Sequence, residues 1–577
     1  MSSTAEKRAQ DLRAAAPAVF LLLAAALGGL RDLSGWAVFS ALFAGYLLAF
    51  ERNRSYSLTL PLGLLAAWLA AGLYFSPEPL NSFWHFSRYL LFMAFFAFAR
   101  TRGEEAGKFW AGAVTALGCL AAAAALCERA LGATPAGIIG ANPNYGAAFM
   151  AAGLAGAAAC LPGKSGKDRL AYGGIVLLLA AGILAANSRG AFLAAAAAVC
   201  FLLWLKKGLV PALSLAGALV LAAALLPAEQ LGWFLKLRDP RSLERIGIWT
   251  SALGGITAQP VFGSGLGLFE RVFELFKFPF YNGISYYGHS TLHAHSELLN
   301  LAAEAGLPAA ALLAWAWVAG VLRGKGAGAG PRDAALKAFA VALFAQAAVD
   351  IVFYSGAVQL CFFGTLGLLA PRAPAEEGAG NRRGRAWLYL FAAALAAGLL
   401  LKRGFERDSA CASAPGAAGE ACLKKALRFS PGDAGLRKSA LAAALASGNF
   451  TRAAALADDL AFIYPKDPFL AEAAAEARYG GGDAAGARAG LIRALELEPD
   501  FLSARLGLAQ LLAREKNGKA ADAEFAKLDK AAQERRPRPK TAYDSALLYL
   551  PQAAHDEMKK WKKRSTGGTT VSTRKPR

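Results

Sequence analysis

Between about positions 14 and 401 the chain repeats one feature, a run of roughly 17 to 25 apolar residues, the length needed to cross about 30 Å of hydrocarbon. Thirteen runs can be read, over about 14–30, 36–50, 58–75, 83–99, 109–126, 145–161, 170–186, 190–205, 208–226, 298–322, 336–353, 357–370 and 386–401, the shortest near 357–370. In lipid every backbone N–H and C=O must be bonded within its own segment, so such runs fold as helices. The expectation is an all-α, polytopic membrane domain over 1–401 with about 12–13 spans. Of the 577 residues 18% are charged, against about 25% in a soluble domain. The first run follows Lys7, Arg8 and Arg13 as in a signal peptide, but a second run follows almost at once, so it reads as a retained span.

Basic residues orient the spans. Alternate loops hold Lys7, Arg8, Arg13; Arg52, Arg54; Arg100, Arg102, Lys108; Lys164, Lys167, Arg169; Lys206, Lys207; Arg323, Lys325, Arg332, Lys337; and Arg372, Arg382, Arg383, Arg385. The short loops between them hold little beyond Arg31, Arg129 and Arg189. With basic loops inside, the N-terminus is cytoplasmic. The long loop 227–297 and everything after Leu401 then lie outside.

After Leu401 the chain becomes charged and a second periodicity appears. Pro431, Pro465 and Pro499 are 34 residues apart, as are Gly448 and Gly482. Helices are expected over about 433–446, 449–462, 467–479, 483–495, 500–514 and 519–533. This pattern resembles the tetratricopeptide repeat and implies an α-solenoid over 408–535, a fold that binds peptides or partner proteins or acts as a spacer. Residues 536–577 read as a basic, partly disordered tail. Cys411 and Cys422 lie in this outer part, where disulfides persist, and are expected to pair. Cys119, Cys127, Cys160, Cys200 and Cys361 fall in apolar runs as small core residues. No C-x-x-C or H-E-x-x-H pattern marks a metal site.

Ionisable residues at the outer ends of spans are expensive and therefore informative. His85 and Arg88 open the fourth run, Arg189 sits in "ANSRGAF" between runs seven and eight, and Asp350 closes run eleven. His293, His295, Glu297 and Glu304 open run ten in "HAHSELLNLAAEAGLPAAALL". The outer loop adds Arg241, Glu244 and Arg245 in the helix-like "RSLERIGIWTSALGGI", then "QPVFGSGLGLF". The span centres are mostly Ala, Leu and Phe. A transporter would place polar groups there, on helices broken by Gly or Pro.

In order and spacing, "SRGAF", "RIGIWTSAL…QPVFGSGLGLF" and "AHSELLNLAAEAGLPAAALL" resemble the O-antigen ligase and polymerase superfamily, which includes protein O-oligosaccharyltransferases. The resemblance covers roughly 140–370. It implies a GT-C-like, metal-independent inverting glycosyltransferase with no cofactor. The implied donor is a glycan on a polyprenyl-diphosphate carrier, and the implied acceptor is lipid A–core, a growing glycan or a protein hydroxyl. Arg189 and Arg245 match the arginines that hold the diphosphate, a task suited to a rigid bidentate fork. His295 matches the catalytic-loop histidine, the base for the acceptor hydroxyl, and Asp350 matches an acid that orients the histidine or an arginine. Arg88, Arg241, His293 and Glu297 are supporting candidates, and His293 is the alternative base. The family commonly has Asn after the histidine. Here it is Ser296, which can cap a helix starting at Glu297.

Plainer readings stand beside these. Arg189 is also a topology anchor in a tight turn, His295 a helix-entry residue, and Asp350 a polar helix end. His85 and Arg88 read as interface anchors, Glu304 as a structural hydrogen-bonding group, and Asn142 and Asn144 as turn residues. At the level of the whole chain, the alternatives are a transporter or flippase and a non-catalytic scaffold. The expected location is the bacterial inner membrane, with membrane lipids, the glycan donor, an acceptor and a protein at the repeats as partners, and no nucleic acid.

Overall fold

The computed structural model describes residues 2–51, 56–227, 229, 232, 240–323, 330–372, 382–412, 417–534 and 536–567. The chain forms two compact units, Met1–Phe269 with His293–Phe405 and Glu270–Leu292 with Glu406–Arg577. The segment Glu270–Leu292, which the sequence reading placed in the membrane domain, thus folds with the C-terminal unit.

In the first unit the helices are α1 (Ser2–Ala26), α2 (Leu33–Phe50), α3 (Leu60–Phe75), α4 (Pro79–Arg100), α5 (Glu104–Ala130), α6 (Pro143–Cys160), α7 (Gly166–Ala186), α8 (Arg189–Lys207), α9 (Leu209–Ala224) and α10 (Pro240–Ala258). The short α11 (Phe269–Leu275) belongs, past Phe269, to the second unit, and the first resumes with α12 (Glu297–Ala305), α13 (Leu307–Leu322), α14 (Pro331–Val349), α15 (Gly356–Leu369) and α16 (Arg382–Ala412), whose end from Glu406 is again in the second unit. Among the described residues five helices are long and apolar enough to cross a membrane, namely α2, α5, α6, α7 and α8. Shorter apolar helices are α3, α9, α13 and α15. The chain is a multi-pass membrane protein.

Helix α6 is the hub, packed by α5, α7, α8 and α14. It is built mainly of Ala and Gly, and nearly all of it from Tyr145 to Ala159 is buried. Small residues let helix backbones approach closely where the hydrophobic effect gives no drive.

The tenth run differs from its expectation of one continuous helix. It breaks at Gly306, whose φ of 85° and ψ of 164° suit only glycine. The break leaves the last carbonyls of α12 without partners in the helix, and the "PVFGSGLGL" loop supplies them. Ser264 N–H donates to Ala303 C=O at 3.0 Å and Gly265 N–H to Glu304 C=O at 2.9 Å, while the loop's Pro260 C=O accepts from Leu307 N–H at the start of α13 at 2.9 Å. Trp68 Nε1 donates to Ala305 C=O at 2.9 Å. The buried Glu304 carboxylate accepts from Gly267 N–H at 2.9 Å and Phe269 N–H at 3.2 Å. Phe262 is stacked between Trp68 and Phe75, with centroids 4.7 and 4.2 Å away.

The second unit is a succession of helix pairs: α17 (Ala417–Phe429), α18 (Ala434–Ala446), α19 (Phe450–Ile463), α20 (Pro468–Gly480), α21 (Ala484–Leu497), α22 (Leu502–Arg514) and α23 (Gly518–Gln533). Consecutive helices pack on one another. From α18 to α23 their bounds fall within about two residues of those read from the period. Asp433, Asn449, Asp467, Asp483 and Asn517 cap five of them. Between paired helices the chain turns through a positive φ at Gly448, Gly482 and, one further period along, Lys516. Cys411 and Cys422 are joined, with Cα atoms 5.8 Å apart. Of the stretch read as a basic tail, α24 (Ala542–Leu547) and α25 (Gln552–Gly567) are helical, and 568–577 lie outside the described residues.

Candidate functional site

Four chain segments meet at one end of the membrane unit. The first is the turn between α7 and α8. Asn187 closes α7 in the left-handed region, and Ser188 caps α8 by accepting from Ala191 N–H at 3.4 Å. Arg189 therefore starts α8, half-buried, and Gly190 beside it leaves room for the end of α14. A Cβ on Gly190 would lie 3.6 Å from Asp350 Oδ2.

Asp350 is the second element. It follows the last residue of α14 in extended backbone and is 3% exposed. Its Oδ1 accepts from Ile351 N–H at 2.9 Å. The third element, α10, brings Arg245 to the same point. Its Nη2 is 3.9 Å from Asp350 Oδ1, and its Nη1 donates to Val349 C=O at 3.5 Å.

The fourth element is the entry to α12. Ser296 caps the helix by accepting from Leu299 N–H at 3.4 Å, the task expected of it in place of Asn. Asn300 Oδ1 reaches back to accept from Ala294 N–H at 3.0 Å. Between them His295 is held at φ 51°, a left-handed conformation that costs an ordinary residue about 1–2 kcal/mol. Its Nδ1 is buried and has no hydrogen-bond partner among the described residues. Burial first, then the Arg245 guanidinium, hold this imidazole below its ordinary range, while Asp350 pulls the other way. His295 is therefore neutral near pH 7 and able to accept a proton. His293 is pushed down to about 4 by burial, then by His295 and Arg88, and its ring lies 4.5 Å from that of Tyr354.

The structure thus gathers His295, Arg245 and Asp350, with Arg189 next to the glycine that abuts Asp350. Glu297 lies at the same entry but serves the backbone, its Oε1 accepting from Phe353 N–H at 2.7 Å. Arg88 lies over the Trp36 ring at 4.8 Å, and its Nε is buried without a hydrogen-bond partner among the described residues. His85 packs on the loop, where a Cβ on Gly267 would overlap its ring. Both are half-buried within the membrane unit. Asn142 caps α6 by accepting from Asn144 N–H at 2.9 Å. The side chain of Arg241 lies outside the described residues.

Arg31, Tyr145 and Tyr354 also come together, though no motif in the sequence marks them as a group. Arg31 lies between the two tyrosine rings, 5.9 and 5.6 Å from their centres, and bonds Gly140 C=O. Arg31 did carry a signal, as one of few basic residues in the short loops read as external. Among the described residues no three His, Cys, Asp or Glu side chains gather as a metal site.

Residues 174–314 match the model of a protein family described as O-antigen ligase. The matched interval holds Arg189, Arg245, His293, His295 and Glu297, while Asp350 lies beyond it. No curated protein matches the chain. Together with the apolar helices, the family match supports a membrane glycan transferase of the O-antigen ligase or polymerase kind.

Proposed function

We propose that the protein moves an oligo- or polysaccharide from a polyprenyl-diphosphate carrier to an acceptor hydroxyl at the periplasmic face of a bacterial inner membrane. His295 takes the acceptor proton as the oxygen attacks the anomeric carbon from the side opposite the carrier, so configuration inverts. The bond to the diphosphate breaks, and Arg189 and Arg245 meet the charge that grows on the leaving oxygen. Asp350 holds Arg245 and tempers its effect on the imidazole. Guanidinium groups do here what a metal does in other transferases.

The observation that carries this reading is the meeting of Arg245, Asp350 and His295, two of them inside the O-antigen ligase match. The break at Gly306 also favours transfer over transport, because loop amides take its carbonyl ends. In this reading the helix pairs are tetratricopeptide repeats in the periplasm that engage a protein acceptor or partner.

The test is incubation of purified protein with a polyprenyl-diphosphate-linked glycan and, separately, lipid A–core, free glycan and Ser/Thr-containing protein. Product mass identifies the acceptor. Loss of a general base costs about 10² to 10⁴ in rate, so a His295→Ala protein that transfers at the native rate removes His295 from the mechanism.

A further inference from the structure

The segment Glu270–Leu292 interrupts the membrane unit between Phe269 and His293 and folds with the helix pairs. It closes on itself as a tight hairpin. Phe280 N–H donates to Tyr286 C=O at 2.7 Å and Asn282 N–H to Ser285 C=O at 3.1 Å. At the tip Asn282 Oδ1 accepts from Ile284 and Ser285 N–H at 2.8 and 2.9 Å. Gly283 there has φ +99°, as a tight Asn-Gly turn demands.

Two carboxylates of the C-terminal unit grip this hairpin. Asp544 accepts from Ser285 Oγ at 2.6 Å and from Asn282 Nδ2 at 3.1 Å. Glu498 accepts from the backbone N–H of Tyr286 at 2.9 Å and of Tyr287 at 2.7 Å. Both are buried, 2% and 0% exposed. A buried carboxylate is costly unless its oxygens are filled, and the hairpin supplies most of the donors. Tyr543 supplies another, its hydroxyl 3.1 Å from Glu498. Its ring meets Phe469 at 5.0 Å, which meets Phe501 at 4.8 Å, so the grip stands on a packed base.

The repeat itself does not call for Glu498. One and two periods earlier the same place holds Tyr464 and Ser430. The carboxylate is peculiar to the repeat that meets the hairpin. The chain is fixed a little further too. A Cβ on Gly288 would overlap Ser285 Oγ, and His289 is boxed by Phe273, Phe278 and Phe280 with ring centres 5.5, 5.0 and 5.8 Å away. Only Ser290, Thr291 and Leu292 separate this anchored stretch from His293.

We propose that Glu498 and Asp544 are positioning residues: they dock the 280–287 hairpin on the repeat array and so restrain the chain that leads into His293 and His295. The docking stands on its own contacts, and its effect on glycan transfer rests on the function proposed above.

The experiment uses full-length protein in lipid nanodiscs. Hydrogen exchange is followed in peptides covering 280–288, and kcat and KM are measured with a polyprenyl-diphosphate-linked glycan. Asp544→Ala, and a hairpin-side variant joining Asn282→Ala to Ser285→Ala, are expected to raise exchange there by about tenfold or more. Both are expected to lower kcat about tenfold, since small misplacements of a reacting group are costly, while the donor KM stays put. Asp544→Asn keeps an acceptor oxygen for Ser285 and Asn282 and should restore both readouts. The hairpin-side variant leaves the repeats intact, so it decides the matter even if Asp544→Ala misfolds. Unchanged exchange in the variants would overturn the docking. Faster exchange with native kcat would overturn the positioning role. A wild-type protein without transfer activity would sink the transferase reading and the positioning role with it, whereas the docking would still be judged by exchange alone.

Discussion

The guanidinium of Arg245 stands 3.9 Å from the carboxylate of Asp350, and both act on the imidazole of His295. Burial already favours the neutral imidazole, and the pair adjusts it further from opposite sides. Arg245 drives the imidazole toward its neutral form, and Asp350 opposes it. Neither partner alone sets the proton affinity of the candidate base.

A pH profile of glycan transfer tests this arrangement. His295 accepts a proton only when neutral, so kcat should fall as pH drops through a value below the ordinary 6.5. Arg245→Gln removes a cause of the depression and should move this acid limb to higher pH. Asp350→Asn removes the opposing carboxylate and should move it lower. Limbs that coincide in all three proteins would exclude His295 as the titrating group.

The helix break supplies a stability test. A Cβ on Gly306 would sit 1.7 Å from Val261 C=O, at a φ of 85°. Backbone strain of about 1–3 kcal/mol adds to the overlap. Gly306→Ala should therefore lose on the order of 3 kcal/mol or more, read as a lower unfolding temperature and poor recovery from membranes. Native stability would show that residues 260–268 do not seat in the break.

Glu304 can be tested separately. Glu304→Ala strands the amides of Gly267 and Phe269, each worth about 1–3 kcal/mol when buried and unpaired. Glu304→Gln keeps one acceptor oxygen and should fall between the two. Thermal unfolding of the solubilised protein ranks the three, and a Gln variant as unstable as Ala would contradict the hydrogen-bonding account.

Helices were the legible part of this chain. Apolar run length and the 34-residue period carry them, and the start of α12 could be read from Ser296 alone. The break at Gly306 was not legible, because "EAGLP" inside an apolar run reads equally as a tolerated glycine. What makes it a break is a distant loop whose Gly263 and Gly265 allow its amides to reach α12. Arg245, Asp350 and His295 were named from residue type and resemblance. Tyr354 carries no signal, because an aromatic near a membrane edge is ordinary, and only the fold brings it to His293. The grip of Glu498 on the hairpin was likewise hidden, since an acid before proline in a repeat turn reads as solvated.

His289 predicts a pH effect on the stability of the second unit. Burial pushes this imidazole down to about 4, whereas in the unfolded chain it titrates near 6.5. As pH falls the unfolded state takes the proton first, so stability present above pH 6.5 is lost between there and about 4. His289→Phe should flatten that part of the profile in unfolding scans between pH 7 and 5. An unchanged slope would place the sensitivity elsewhere.

Lys516 offers a gain. It holds the left-handed turn, φ 59°, that Gly448 and Gly482 hold in the earlier pairs. Lys516→Gly relieves that strain and should stabilise the array by about 0.5–1 kcal/mol. A lower unfolding temperature would mean that the lysine side chain contributes more than its backbone costs.

The plug in the break at Gly306 also bears on biosynthesis. Residues 260–268 precede α12 and α13 in the chain, so they emerge from the ribosome first. When Glu304 and the open carbonyls around it are synthesised, the amides that cover them have already been made. The nascent protein then has its seal in hand before the exposed helix end arrives, and a circular permutation that reversed this order would leave those carbonyls waiting for their partners.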